Sequence, residues 1–199
     1  VSTLLRASDL AKKPVVTFGG EDVAQIKDIV YGANGGRVEA FTLAGRGLFA
    51  GPLKTALPWP AVVGLGPDAV IVESEAVFVP RDEVLASAAA SSGGAGVGDV
   101  LGSEVLTDQG TALGRVRDVV IGILPGEQAE ADVVGYEIDP AETLNRGQQT
   151  LLIPLPDTIS ASGTHLMVPA SATQFLTDNM EGFGNAVDAF RRQLHEGAV

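Results

Sequence analysis

Sliding the sequence along itself by 90 residues lays Asp9 on Asp99, Val15 on Val105, Thr17 on Thr107 and Gly20 on Gly110. The same shift puts Asp28 on Asp118, Val30 on Val120 and Gly32 on Gly122. Between these identities the residue class is kept, as in Ile26 with Val116 and Lys27 with Arg117. A second block aligns with a shift of 96, with Leu57-Pro58 falling on Ile153-Pro154 and Val70-Ile71-Val72 on Leu166-Met167-Val168. The six extra residues of the later copy fall around Asp139–Gln149, and a length difference confined to one connection is what a duplicated module shows. The chain must therefore fold as one small unit made twice.

Each copy reads as strands. Glu104–Thr107 leads through Asp108-Gln109-Gly110 into Leu113–Ile121, two runs joined by the turn chemistry of a hairpin. Along Leu113–Ile121 simple alternation puts Leu113, Arg115, Arg117 and Val119 on one face and Gly114, Val116 and Asp118 on the other. Further strands are expected at Ala131–Ile138 (Val38–Leu43 in the first copy), Leu151–Leu155 and Leu166–Val168. Short strands, 25 glycines and 11 prolines predict an all-β dominated fold with minor α. It consists of two tandem small barrels, closed or half-closed, and a C-terminal helix. Phe183, Val187, Phe190 and Leu194 recur at helical spacing, with Asn185 as the expected cap, and this helix is expected to pack on the barrels.

The expected organisation is residues 1–80 as the first module, 81–97 as a short helix and linker, 98–172 as the second module, and 173–199 as a helical segment. The helix of the connection starts from Pro80-Arg81-Asp82-Glu83. The small residues from Ala86 to Gly98 begin as the end of that helix and then become a tether. Their glycine spacing is not that of a phosphate-cradling loop, and no lysine follows as a P-loop requires.

Composition restricts function further. The chain has no cysteine, which removes disulfides, thiolate metal sites and cysteine nucleophiles. Net charge is −12, unevenly divided. Residues 1–84 carry ten acidic and eight basic side chains, and residues 85–199 fifteen and five. Such a charge opposes direct binding to a phosphate backbone. No apolar run approaches the length of a membrane span, and Val1–Arg6 lacks the pattern of a signal peptide, so a cytoplasmic protein is expected.

The second copy, from Leu101-Gly102-Ser103-Glu104-Val105 through Asp108-Gln109-Gly110 to Leu113-Gly114-Arg115-Val116-Arg117-Asp118-Val119-Val120, resembles the opening of a PRC-barrel domain. The first copy resembles it less closely, so the chain is similar to two such modules in tandem. The resemblance implies a small β-barrel. Relatives include the cytoplasmic part of the reaction-centre H subunit and the C-terminal domain of a ribosome maturation factor. The theme it implies is binding to another protein, and it carries over no functional residue.

The residues themselves offer little chemistry. Asp28 and Asp118 read as hydrogen-bonded anchors of the backbone. His165 and His195 lack ligand spacing, and neither a serine elbow nor a calcium loop is present. No catalytic residue, cofactor or metal is expected. Candidates for partner binding are Phe49, Trp59 and the acidic residues Glu130, Asp132, Glu137 and Asp139, with Glu127 and Glu142 beside them. These carboxylates read as a solvated face, or as a docking surface for a basic partner. Trp59 aligns with Leu155, which favours a place in the core or at the rim.

The expected function is therefore a non-enzymatic protein-binding or scaffolding protein, with a homodimer among the assemblies it could form. The alternatives are a factor in RNA metabolism or ribosome assembly acting through a ribosomal protein, and an enzyme with its site between the barrels.

Overall fold

The computed structural model describes residues 3–32, 36–47, 50–91, 100–124, 130–142, 144, 150–156, 160–162 and 165–196. A strand β1 (Thr3–Arg6) and a single helical turn α1 (Ala7–Leu10) open the chain. Seven strands follow: β2 (Pro14–Thr17), β3 (Asp22–Tyr31), β4 (Val38–Ala44), β5 (Pro52–Pro58), β6 (Val62–Leu65), β7 (Val70–Val72) and β8 (Val79–Pro80). They form one sheet in the order β6-β7-β2-β3-β4-β5-β8. Helix α2 (Arg81–Ser91) leaves this sheet.

The second sheet uses β9 (Glu104–Thr107), β10 (Ala112–Leu124), β11 (Glu130–Pro140), β12 (Leu151–Pro154), β13 (Ser160–Ser162) and β14 (His165–Val168). Its order is β12-β11-β10-β9-β14-β13, with β1 added alongside β10. Helix α3 (Met180–Glu196) closes the described chain. The fold is β-dominated with a minor helical part, each sheet a curled half-barrel.

The two sheets share their strand order and much of their hydrogen bonding. In each, among the described residues, one parallel pair joins the first hairpin strand to a late strand, Val15 opposite Val70 and Val105 opposite Leu166. The Thr17 N–H bonds the Glu21 carbonyl at 3.0 Å, and Thr107 does the same to Thr111 at 2.9 Å. Gly20 and Gly110 sit at the same turn with φ of 81° and 79°, a left-handed backbone that glycine adopts without penalty. Bulges fall at matching places too, between Ile26 and Asp28 and between Val116 and Asp118.

These bulges correct the alternation expected along β10. Register shifts between Ala112 and Gly114 and between Val116 and Asp118 turn Leu113 and Val119 inward, while Arg115 and Arg117 stay exposed. A bulge adds one residue to one strand and so reverses the face seen by everything after it.

One contiguous core runs through both sheets, from Val15, Phe41 and Leu57 to Leu113, Tyr136 and Ile153. The backbones also join where the Val133 N–H meets the Gly36 carbonyl at 2.7 Å. Helix α3 packs as expected: Phe183 and Val187 are buried against Val120, Val134 and Leu152. Phe190 joins the main core, 5.5 Å from Phe175 between ring centroids. Its cap differs from the expectation. Asn185 lies inside the helix, and Asn179 accepts the Gly182 N–H at 3.0 Å. The amphipathic pattern located the buried stripe but not the first turn, where a side-chain acceptor three residues ahead sets the start.

Candidate functional site

Charged and aromatic side chains converge at the seam between the sheets. Strand β1 lies antiparallel to β10, Leu5 opposite Ile121 and Arg6 opposite Val120, so the chain's opening strand belongs to the later sheet. From its end Arg6 donates Nε–H to the Glu137 carboxylate. Glu137 is 7% exposed, and Arg117 stands 3.9 Å away on its other side. That hydrogen bond, with the charge of Glu137, raises the Arg6 pKa above its ordinary value against the opposing effect of burial.

Asp118, also buried, accepts from the Ser8 hydroxyl, from the Ser8 N–H at 3.3 Å and from the Val119 N–H at 2.8 Å. It anchors α1 to the opposite sheet. Asp28, the matching residue, is exposed, with Lys27 at 3.3 Å and the Thr42 hydroxyl at 3.4 Å. One sequence position therefore has two uses, because α1 covers only one of the pair.

A cleft of about 260 Å3 opens at this seam, lined by Ser8, Lys27, Asp28, Tyr31, Leu101 and Asp118 among others. Its charges are matched within the chain, Lys27 with Asp28 and Asp118 with Ser8. Burial raises the pKa of Tyr31, aided by Asp118, and burial alone raises that of Tyr136. Both phenols therefore stay protonated at neutral pH. Among the described residues no cluster of three histidine or carboxylate side chains could share a metal ion. His165 stands 3.5 Å from Glu104 on the paired strand.

These tyrosines are the only two in the chain, which makes their ionisation readable. Their unfolded pKa is about 10 and the folded pKa is higher, so between the two the folded state holds more protons. The stabilisation is complete below about pH 10 and is lost as pH rises towards the folded pKa. Phenolate absorbance is expected to appear together with loss of far-ultraviolet circular dichroism. Phenolate forming in the still-folded protein would contradict this burial. The Tyr136 hydroxyl is buried with no hydrogen-bond partner among the described residues. Tyr136→Phe is accordingly expected to leave the urea midpoint unchanged or raise it by about 1 kcal/mol equivalent.

The sequence-derived candidates do not form one patch. Phe49 and Glu127 lie outside the described residues. Trp59 is half-buried with its ring edge-on to Phe41, centroids 6.1 Å apart, which is the core or rim place expected of it. The acids along β11 meet arginines of this same chain. Glu130 pairs with Arg37 at 3.1 Å, Glu137 with Arg6 and Arg117, and Asp139 with Arg117 at 3.3 Å. Asp132 is half-buried and faces Arg37 across a backbone bridge, and Glu142 is exposed. Sequence reasoning missed Arg6 and Ser8, which carry no motif. It also passed over Phe18, although the 90-residue shift that aligns the copies sets this phenylalanine against Asp108.

Arg6→Ala would leave Glu137 buried with only the more distant Arg117. Arg6 is itself about one-third exposed, so the expected loss is about 1–2 kcal/mol rather than the larger cost of breaking a fully buried pair. Urea unfolding of Arg6→Ala, Glu137→Gln and the double variant measures it, and the double variant should lose less than the sum of the two.

Two curled, mostly antiparallel half-barrels with one strand order, joined through a shared core, define a protein of small β-barrel-type modules. The PRC-barrel domain family matches residues 2–78, the span that contains the whole first sheet except β8. No curated protein matches the chain closely enough to count as a relative. Among the described residues no helix is long and apolar enough to cross a membrane.

Proposed function

We propose that the later sheet, with residues 98–172, is a second module of the same PRC type. On this reading the chain is a non-enzymatic protein-binding or scaffolding protein, residues 81–97 connect the modules, and residues 173–199 carry the helix that braces the second. The observation that supports it best is the fate of the ionised groups at the seam. Glu137 holds β1 through Arg6, Asp118 holds α1 through Ser8, and Arg117 is shared between Glu137 and Asp139 across β10 and β11. A nucleophile or general base needs a group left available to substrate. Here the polar groups do structural work, and the outer faces are left to recognise a partner.

Affinity purification of the intact tagged chain from its native host, after mild cross-linking, tests the reading. A stoichiometric protein partner is expected. Ribosomal proteins or ribosomal RNA co-purifying in stoichiometric amount would favour the ribosome-assembly alternative, and recovery of the chain alone would count against both.

A further inference from the structure

Resting on that protein-binding reading, we propose that the outer edge of β6, together with Phe18, takes up an extended segment of a partner protein in which apolar residues alternate with lysine or arginine. Phe18 is 64% exposed at the β2–β3 turn, and the other described aromatic side chains are buried or half-buried. At the matching place in the second sheet stands Asp108, whose Oδ1 accepts the Ala170 N–H at 3.0 Å and fixes the chain after β14. Phe18 makes no such contribution and presents an apolar ring to water instead.

The sheet around it supports docking. β6 ends its sheet, so one of its backbone edges is unpaired among the described strands. Of the devices that guard sheet edges, this strand has short length and a bulge but no charge, since Trp59 to Pro67 contains no ionisable side chain. Val63, in a bulge of this strand, is 59% exposed. Val16 of β2 stands opposite Ile71 of β7, and Ile71 opposite Gly64 of β6, both valine and isoleucine half-buried. Strand addition to such an edge draws affinity from backbone hydrogen bonds and specificity from alternate side chains.

Charge selects the occupant. The Phe18 N–H contacts the carbonyls of Val72 and Glu73, and Glu21 closes the same turn on Thr17. Glu21 and Glu73 are exposed and make no ion pair among the described residues, unlike Glu130, Glu137 and Asp139. Lys13, at the other end of β2, gives its ammonium to the Pro67 carbonyl. A second copy of this chain would bring the same carboxylates and a further −12 to the edge, whereas a basic segment would neutralise them.

The test titrates the intact chain into a short labelled peptide alternating lysine and valine, with a glutamate–valine peptide as control. Saturable binding of the basic peptide alone is expected, weakening with salt, with amide shifts at Phe18 and Val62–Leu65. Phe18→Ser, which removes the ring without adding charge, and Glu73→Lys should each weaken binding about tenfold without moving the melting temperature. Absence of saturable binding, binding untouched by Phe18→Ser, or a dimer that Phe18→Ser dissociates would overturn the proposal. If the host partner is retained by both wild type and Phe18→Ser, the protein-binding reading stands and this surface falls. If neither retains a partner, the broader reading falls and the peptide titration decides the surface alone.

Discussion

Gly135→Ala is expected to lower the unfolding free energy by about 3 kcal/mol, the upper part of the range for forcing atoms into a packed core. Gly135 lies on β11 opposite Pro154 of β12, where α3 crosses the sheet. A Cβ at this position would stand 2.5 Å from the Ile153 carbonyl oxygen and still closer to Cζ of Phe183. Neither neighbour can yield cheaply. The carbonyl belongs to the sheet, and Phe183 is fully buried among Val120, Val134 and Leu152. The missing side chain of Gly135 is thus the recess that seats the helix. Adding Phe183→Leu should recover part of the loss, because it relieves the aromatic clash and leaves the carbonyl one. Urea unfolding followed by circular dichroism measures both variants, and wild-type stability for Gly135→Ala would show that α3 does not dock there.

Gly114→Ala should cost a similar amount, about 3 kcal/mol, by a different route. Gly114 has φ of 148°, a region that side-chain-bearing residues rarely enter, and a Cβ there would overlap the Asp139 carbonyl oxygen. The matched position in the first sheet is Ala24, which pairs with Val15 as Gly114 pairs with Val105. Among non-glycine residues only Lys12 has positive φ within the described chain, so Ala24 keeps an ordinary backbone. Ala24→Gly is therefore expected to cost about 1–2 kcal/mol, from added chain entropy and the loss of a buried methyl, with no strain involved. A gain in stability for Ala24→Gly, read from urea midpoints, would mean that Ala24 sits in a strained conformation like that of Gly114.

The part of the fold legible in the sequence was the part carried by local pattern. The hairpin of β9 and β10, the strands β11, β12 and β14 and the buried stripe of α3 follow from alternation, turn residues and helical spacing, and the repeat carried the strand pattern to the first copy; the short strands β6 and β8 were not legible. The route of the first residues was not legible. Thr3–Arg6 has no partner within its own module's pattern, and its pairing with β10 depends on how two modules meet, which no single-module periodicity encodes. The bulges in β10 were hidden for a related reason, since an extra residue is settled by the partner strand.

The candidate acids show the same division. Glu130, Glu137 and Asp139 were legible as a cluster, but the arginines that meet them come from as far away as Arg6 and Arg37 in the sequence. Composition counts charge; only the fold says which charges are already matched. Phe18 is the converse case. Its exposure could have been raised as a question by its alignment with Asp108, because an aromatic replacing an aspartate at a turn gains nothing from the turn itself.

The claim on which the account turns is that the halves form one body, sealed by β1, α1 and a continuous core. Scanning calorimetry of the intact chain tests it most directly. One transition is predicted, with calorimetric and van't Hoff enthalpies equal, shifted as a whole by Phe41→Ala in the first sheet and by Phe183→Ala beside the second. Two transitions, each moved by only one of these substitutions, would show two independent modules and would contradict the claim.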